Sequence, residues 1–171
     1  MVQMIDISRL QWFRKKDSLT LEETTSLNNG VPFIIPEAFL NVLKFSNGGE
    51  LDSIFEYYDI STKCMIQNAL GFVYGVNRSE YNFGYDIINQ HNNPPEFFPK
   101  NLVAFGETGN GDMICFDYRI NPKTDNPPIV YWNHEADEGQ NVSFIANNFD
   151  EFIGILREPE PYPGDEEQGN E

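Results

Sequence analysis

The most polar cluster of side chains with catalytic potential follows an aromatic run and contains His134, Glu135, Asp137 and Glu138. A histidine can act as a general acid or base when a carboxylate orients its ring and a nucleophile lies beside it. The only nearby serine is Ser143, and no serine or cysteine lies in a sequence typical of a strained nucleophile turn. Three interpretations therefore stay open: a plain polar loop, a loop that contacts a partner, and an acid–base site.

A glycine-rich segment at 106–112 has the glycines of a loop that cradles phosphate groups. It contains no lysine, and its two acids, Glu107 and Asp112, would repel a phosphate. Asn110 and Gly111 form the dipeptide that is typical of a tight turn between two strands. The segment is therefore predicted to be a hairpin turn and not a nucleotide site.

Residues that could bind a metal are poorly placed for it. Asp112 and Asp117 are an odd number of positions apart in a predicted strand, so they fall on opposite faces and cannot easily share an ion. Cys64 and Cys115 lie in apolar runs and are predicted to be free, buried thiols. With two histidines in the chain and no cysteine beside either, a zinc site is not expected. The sequence thus predicts no metal, no cofactor and no enzymatic activity.

The charge balance restricts the class of partner. The chain has 27 acidic and 11 basic residues, a formal net charge of −16, and a net −10 stays in the body when the acidic segment 158–171 is left out. Such a surface repels nucleic-acid phosphates and anionic membranes, so neither is an expected partner. A cationic protein would instead be steered toward it. Solubility alone is the other explanation of the charge.

Composition and length predict one globular domain over 1–157 and an acidic, proline-containing tail over 158–171. No run approaches the roughly 18 unbroken apolar residues of a membrane-spanning helix. The first residues place their charges after the apolar ones and offer no small-residue cleavage site, unlike a secretory signal. We therefore expect a cytoplasmic protein.

Helical spacing dominates the first third of the chain. The T-x-x-E pattern of Thr20 and Glu23 is a capping box, and Pro36 suits the first turn of a helix that Gly48 and Gly49 end. Asn148 and Glu151 form another cap pair before an amphipathic segment. The predicted helices lie at 4–16, 21–30, 36–46, between Ser79 and Asn92, and at 148–156.

From residue 51 the pattern changes to short aromatic and β-branched runs bounded by Gly, Pro and Asn, which is typical of strands. Short turns between them indicate antiparallel pairing, so the predicted fold is an α+β domain with helices packed on a mainly antiparallel sheet. The predicted strands are 54–60, 71–74, 102–105, 113–118 and 129–134. The predicted core includes Phe39, Leu40, Leu43, Ile114, Phe116, Phe149, Phe152 and Ile153.

Four segments occur in an order that is characteristic of one known family. Residues 35–49 combine a hydrophobic residue and proline, an aromatic and leucine helix, and an Asn-Gly-Gly end. A Gly-Asp pair followed by a strand occupies 111–116, and a second strand occupies 130–135. The last segment, 145–152, has an alanine followed by a helix in which two phenylalanines flank acidic residues. In this order, and over about residues 20–156, the chain resembles the SUKH superfamily of yeast cell-wall synthesis regulators and bacterial immunity proteins.

The resemblance implies a protein-binding module rather than an enzyme. Bacterial members of the superfamily are commonly immunity proteins that neutralise toxins by binding them, and many of those toxins are nucleases. The eukaryotic relatives imply an alternative, a regulatory or scaffold domain that binds cellular proteins without a toxin. The acidic charge agrees with the first function, because nuclease active sites are usually basic.

The partner surface is expected where the 106–112 turn and the loop after residue 133 meet, provided that the ends of the adjacent strands align. Tyrosine and tryptophan dominate interface hot spots, so nearby aromatic side chains are included. The predicted contact residues are Glu107, Asp112, Tyr118, Trp132, His134, Glu135, Asp137 and Glu138.

Overall fold

The computed structural model describes residues 6–76 and 85–161 of the chain. In these residues seven strands form one antiparallel sheet, whose strand order is the order along the chain. This confirms the predicted α+β class with an antiparallel sheet. The strands are β1 (Trp12–Lys15), β2 (Gly49–Asp59), β3 (Cys64–Val73), β4 (Leu102–Glu107), β5 (Met113–Asp117), β6 (Ile129–Trp132) and β7 (Val142–Ala146).

The helices begin where the sequence places their caps. Thr20 Oγ1 accepts a hydrogen bond from the Glu23 amide at 3.1 Å, and Glu23 Oε1 accepts one from the Thr20 amide at 3.0 Å, which is the predicted capping box. Asn148 accepts from the Glu151 amide at 2.9 Å. The helices in the described part are α1 (Leu21–Gly30), α2 (Glu37–Phe45), α3 (Ile87–Asn92) and α4 (Phe149–Ile155). Within that part, none is long and apolar enough to cross a bilayer.

The predicted helix at 4–16 is wrong. A short 3-10 helix at Ile7–Arg9 is followed by β1, which pairs with β2 at the edge of the sheet. The Gln11 and Lys16 amides donate to the hydroxyls of Ser53 and Ser46 at 2.9 and 2.8 Å. These long-range hydrogen bonds, with the strand preference of the aromatic residues of β1, outweigh the helical spacing. Residues 4 and 5 lie outside the described part, as do Ser79 and Tyr81 of the predicted helix that contains α3.

The hairpin of β2 and β3 extends further than the two short strands predicted in this region. It runs from Gly49 opposite Val73 to Asp59 opposite Cys64. Cys64 is exposed at the start of β3, because it directly follows the turn, and this corrects the prediction that both thiols are buried. Cys115 in β5 is buried as expected, and its burial raises the pKa of its thiol.

Aromatic rings from both helices and strands meet in the centre of the core. Phe39 of α2 packs against Phe105, Phe116 and Phe149, with ring centroids 5.3 to 5.4 Å apart. Seven of the eight predicted core residues are buried, and Leu40 is partly buried against the same cluster. The amphipathic patterns of α2 and α4 therefore identified the face of each helix that packs on the sheet.

The Asn-Gly-Gly end of α2 joins the helix to the sheet. Asn47 Nδ2 donates to the Val76 carbonyl at 2.7 Å and to Glu23 Oε2 at 3.0 Å, and Asn47 Oδ1 accepts from the Val76 amide at 2.8 Å. Gly48 has a φ of 76°, and a Cβ on Gly49 would lie 2.3 Å from the Arg14 carbonyl oxygen. The two glycines are needed because the backbone turns in the left-handed region and then passes directly against β1.

Candidate functional site

The strand register brings the β4–β5 turn and the loop after β6 to the same end of the sheet. Met113 of β5 lies opposite Trp132 of β6, so the residues just outside this pair are neighbours. Asp112 Oδ1 accepts a hydrogen bond from the His134 amide at 3.0 Å and lies 2.6 Å from Nδ1 of the His134 ring. The alignment of strand ends that the sequence analysis required is therefore present.

Asp112 is a buried carboxylate that organises this end of the sheet. Its Oδ2 accepts a hydrogen bond from the Tyr131 hydroxyl at 2.5 Å, and that hydroxyl accepts one from Asn68 Nδ2 at 2.9 Å. The Tyr57 ring stacks on Tyr131 with centroids 4.4 Å apart. Burial raises the pKa of Tyr131, and the hydrogen bond to Asp112 acts in the same direction, so the hydroxyl stays a proton donor. Asp112 positions the loop from inside and is not part of the outer surface.

Glu107 is half covered by its neighbours. The Tyr74 hydroxyl donates to Glu107 Oε2 at 2.7 Å. Burial raises the pKa of the Glu107 carboxyl, and the hydrogen bond from Tyr74 lowers it by less, so the net shift is upward. Only part of this carboxylate is available for contact with another protein.

Tyr118 and Trp132 are buried, which corrects the expectation that they lie on the contact surface. The Tyr118 hydroxyl donates to the Ile34 carbonyl at 2.5 Å. Trp132 is 2% exposed and packs edge-on against Phe98 at a centroid distance of 5.0 Å. Every residue of β5 and β6 is buried because the sheet is covered on both faces here, so no strand position turns an aromatic side chain to solvent.

The exposed members of the predicted set lie in one loop, residues 134–138, which we call the acidic loop. Glu135 is 84% exposed in its side chain, and His134, Asp137 and Glu138 are also exposed. The base of the loop is closed by a hydrogen bond from the Asn133 amide to the Asn141 carbonyl at 2.8 Å. The acidic loop is thus presented outward on a backbone that Asp112 holds from below.

Phe97 lies beside the acidic loop and was missed by the sequence analysis. It is 81% exposed, its φ is 63°, and it lines two grooves that flank the loop. The larger groove, of about 590 Å³, also contains Lys100 and Arg119, whereas the smaller, of about 260 Å³, contains Trp132 and Asp137. The sequence signal for this conformation is weak: prolines at positions 95 and 99 flank Phe97 and are typical of a loop with an irregular backbone.

The His134 ring has a carboxylate near each of its nitrogens. Asp112 does hold the His134 ring, but the charged atom nearest to its Nε2 is Glu135 Oε1 at 3.9 Å, and no described serine, threonine or cysteine side chain is hydrogen-bonded to the ring. Ser143 instead donates to Asp59 and accepts from the Ile60 amide. Across 6–76 and 85–161, no three His, Cys, Asp or Glu side chains are arranged to hold a metal ion.

Replacing Asp112 by alanine should destabilise the fold by about 1 to 3 kcal/mol, because it removes the acceptor of the buried Tyr131 hydroxyl. It should also speed amide hydrogen exchange in the acidic loop, since the His134 amide loses its partner. Glu135→Ala, at an exposed position, is the matched control and should change neither quantity measurably. Unchanged exchange in Asp112→Ala would show that the loop is held by other contacts.

Comparison with known proteins identifies a family and a curated relative that this chain resembles. The model of the SMI1 / KNR4 family (SUKH-1) matches residues 18–154. The SPbeta prophage-derived uncharacterized protein YokK of Bacillus subtilis (strain 168) is 32% identical over 91 residues, which cover 48% of this chain and 44% of that protein. The match thus spans less than half of the length of this relative.

Proposed function

The chain belongs to the SMI1/KNR4 (SUKH-1) family, and from that membership we propose that it is an immunity protein, a non-enzymatic module that neutralises a cognate toxin domain by binding it. The family is one of protein-binding modules, generally without enzymatic activity. We further propose a cytoplasmic location and a cationic partner, of which a nuclease toxin with a basic active site is the best fit to a net charge of −16.

The observation that supports this proposal most is the acidic loop. Three carboxylates, those of Glu135, Asp137 and Glu138, extend into solvent from a backbone held by the buried Asp112. Because the backbone is already positioned, little conformational entropy is lost when a partner docks. Exposed carboxylates of one sign also steer an oppositely charged protein toward this end of the sheet.

Co-expression with a toxin domain, which we propose to be encoded next to this protein's gene, tests the proposal. Growth should be restored by the wild-type protein. The double charge reversal Glu135→Lys with Asp137→Lys should slow association about tenfold at low salt, with little effect at high salt, because long-range attraction is screened. The matched control, Glu158→Lys with Glu160→Lys, makes the same charge change at exposed positions after α4 and should bind nearly as the wild type.

Two results would count against this function. Equal slowing by both pairs of substitutions would mean that net charge, and not the acidic loop, governs binding. Failure of the wild-type protein to restore growth or to bind the toxin domain would favour the alternative, a regulatory or scaffold domain that binds cellular proteins.

A further inference from the structure

The outer edge of β3 is unpaired over most of its length. Within residues 6–76 and 85–161, β4 pairs with β3 at Phe72 and Val73, and no other strand or bridge pairs with residues 64–71 on that side. An unpaired strand edge presents backbone N–H and C=O groups on which a further strand can form hydrogen bonds. The hairpin of β2 and β3 therefore offers a template for strand addition.

The hydrogen bonds of β2 show which backbone groups of β3 point outward. The Ile54 amide donates to the Arg157 carbonyl at 2.8 Å, and the Arg157 amide donates to the Ile54 carbonyl at 3.0 Å, so both backbone groups of Ile54 point away from β3. Ile54 lies opposite Ala69, and two opposed residues that do not bond each other both point away from the pair. Because the direction alternates along a strand, the N–H and C=O groups of Met65, Gln67 and Ala69 all point to the open edge.

The open edge of β3 lacks the protection of the other sheet edges. Natural edge strands avoid pairing through charges, prolines, short length or covering elements. β1, at one end of the sheet, has four residues and carries Arg14 and Lys15. β7, at the other end, has the end of β2 beside it, where the Ile60 amide donates to the Ser143 hydroxyl at 3.1 Å. Residues 64–71 contain no charged residue and no proline, although 22% of the chain is charged, so this edge is the most suited of the three to pairing.

The outward groups are arranged symmetrically about Gln67. Two antiparallel copies with Gln67 opposite Gln67 would place Met65 of each copy opposite Ala69 of the other, so that every outward residue meets an outward residue. Each such pair exchanges two backbone hydrogen bonds, and other registers leave fewer of these groups paired. A charged side chain at the centre would face its own copy and repel it, and none is present there.

The exposed face of the hairpin next to this edge is apolar. Met65 is 62% exposed and lies opposite Tyr58, which is 51% exposed, so the two side chains form a row across the hairpin. In the symmetric register this row continues into Ala69 of the second copy, which would cover part of Met65. Pairing of the edges therefore also removes apolar surface from water.

We infer that the open edge of β3 binds a second copy of this chain, forming a two-fold symmetric dimer in which the two sheets are continuous. Chains with a net charge of −16 repel each other, so the dimer should form more readily at high salt, whereas attraction of a cationic toxin weakens there. At the centre this repulsion is small, because Glu56, which lies opposite Gln67, is paired with Arg157 at 3.4 Å. Such a dimer would form whether or not the protein binds a toxin.

Sedimentation equilibrium of the full chain measures the association. We expect a reversible dimer with about twice the chain mass of 19.7 kDa, whose dissociation constant falls about tenfold when the ionic strength rises from about 0.05 to about 0.5 M. Gln67→Pro removes the outward N–H and leaves the hydrogen bonds between β2 and β3, so it should make the folded protein monomeric. Gln67→Ala keeps the N–H and should still dimerise. Circular dichroism checks that both variants are folded.

A disulfide tests the register even if the proline variant does not fold. Opposed Cα atoms of a hydrogen-bonded antiparallel pair lie about 5.5 Å apart, which a disulfide can span. Gln67→Cys in a Cys64→Ser background should therefore form a covalent dimer on mild oxidation. Gln140→Cys in the same background, at another exposed glutamine, should stay mostly monomeric. The native Cys64 is also exposed, but it would lie roughly 20 Å from its counterpart along the paired strands, so the wild-type chain should not cross-link.

Three results would overturn the inference. A chain that stays monomeric at both ionic strengths up to millimolar concentration would leave the open edge to a strand of another protein. A dimer that persists in folded Gln67→Pro would have its interface elsewhere. Cross-linking through position 67 no better than through position 140, or efficient cross-linking through Cys64, would exclude the symmetric register.

Discussion

Replacing Phe152 by alanine should lower the free energy of unfolding by about 3 to 5 kcal/mol, the usual cost of truncating a fully buried aromatic side chain. Phe152 is completely buried in α4 and packs against Phe55 and Phe105, with ring centroids 5.6 and 5.9 Å away. Its truncation opens a cavity between the helix and two strands that ordered neighbours cannot fill. Chemical unfolding of the purified variant measures the loss.

Phe144→Ala is the matched control for this cavity. Phe144 lies in β7 and is 53% exposed, so its truncation should lower the free energy of unfolding much less than Phe152→Ala does. A loss below about 1 kcal/mol for Phe152→Ala would show that the buried face of α4 is misassigned.

Replacing Asn47 by alanine should lower the free energy of unfolding by about 2 to 6 kcal/mol. The substitution leaves both the amide and the carbonyl of the buried Val76 without their side-chain partner, and each unsatisfied group costs about 1 to 3 kcal/mol. Because Asn47 also donates to Glu23 of α1, its loss loosens the contact between the end of α2, the end of β3 and α1. Thermal and chemical unfolding should both register the change.

Two further variants separate the hydrogen bonds of Asn47 from its size. Asn47→Asp keeps an acceptor for the Val76 amide but replaces the donor to the Val76 carbonyl and Glu23 by a carboxylate, so it should also be strongly destabilised. Asn28→Ala, at an exposed position of α1, should have little effect. Wild-type stability of Asn47→Asp would contradict the role assigned to the side-chain donor.

Local signals in the sequence predicted much of the fold. The starts of α1 and α4 depend on hydrogen bonds between residues three apart, so the cap pairs Thr20 with Glu23 and Asn148 with Glu151 can be recognised without tertiary information. Antiparallel pairing of consecutive strands also follows from short connections. The acidity from which a cationic partner is proposed is a property of composition alone.

The burial of the predicted site residues could not be predicted from local signals in the sequence. The sequence placed His134, Glu135, Asp137 and Glu138 in a polar loop, and the structure has that loop exposed, yet it buries Asp112, Tyr118 and Trp132. Their burial follows from covering both faces of β5 and β6, which depends on elements distant in the chain. Period-two alternation cannot reveal this, since a strand covered on both faces has no solvent side.

Sequence patterns were enough to predict the α+β class, the caps of α1 and α4, the apolar faces of α2 and α4 and the acidic character of the surface. The structure was needed to show that residues 12–15 form an edge strand, that Asp112 fixes the acidic loop from inside, and that Phe97 is exposed beside this loop. The difference lies in the range of the interactions. Caps and periodicity act between near neighbours in the chain, whereas strand pairing, burial and the shape of a groove depend on contacts between residues that are brought together only by folding.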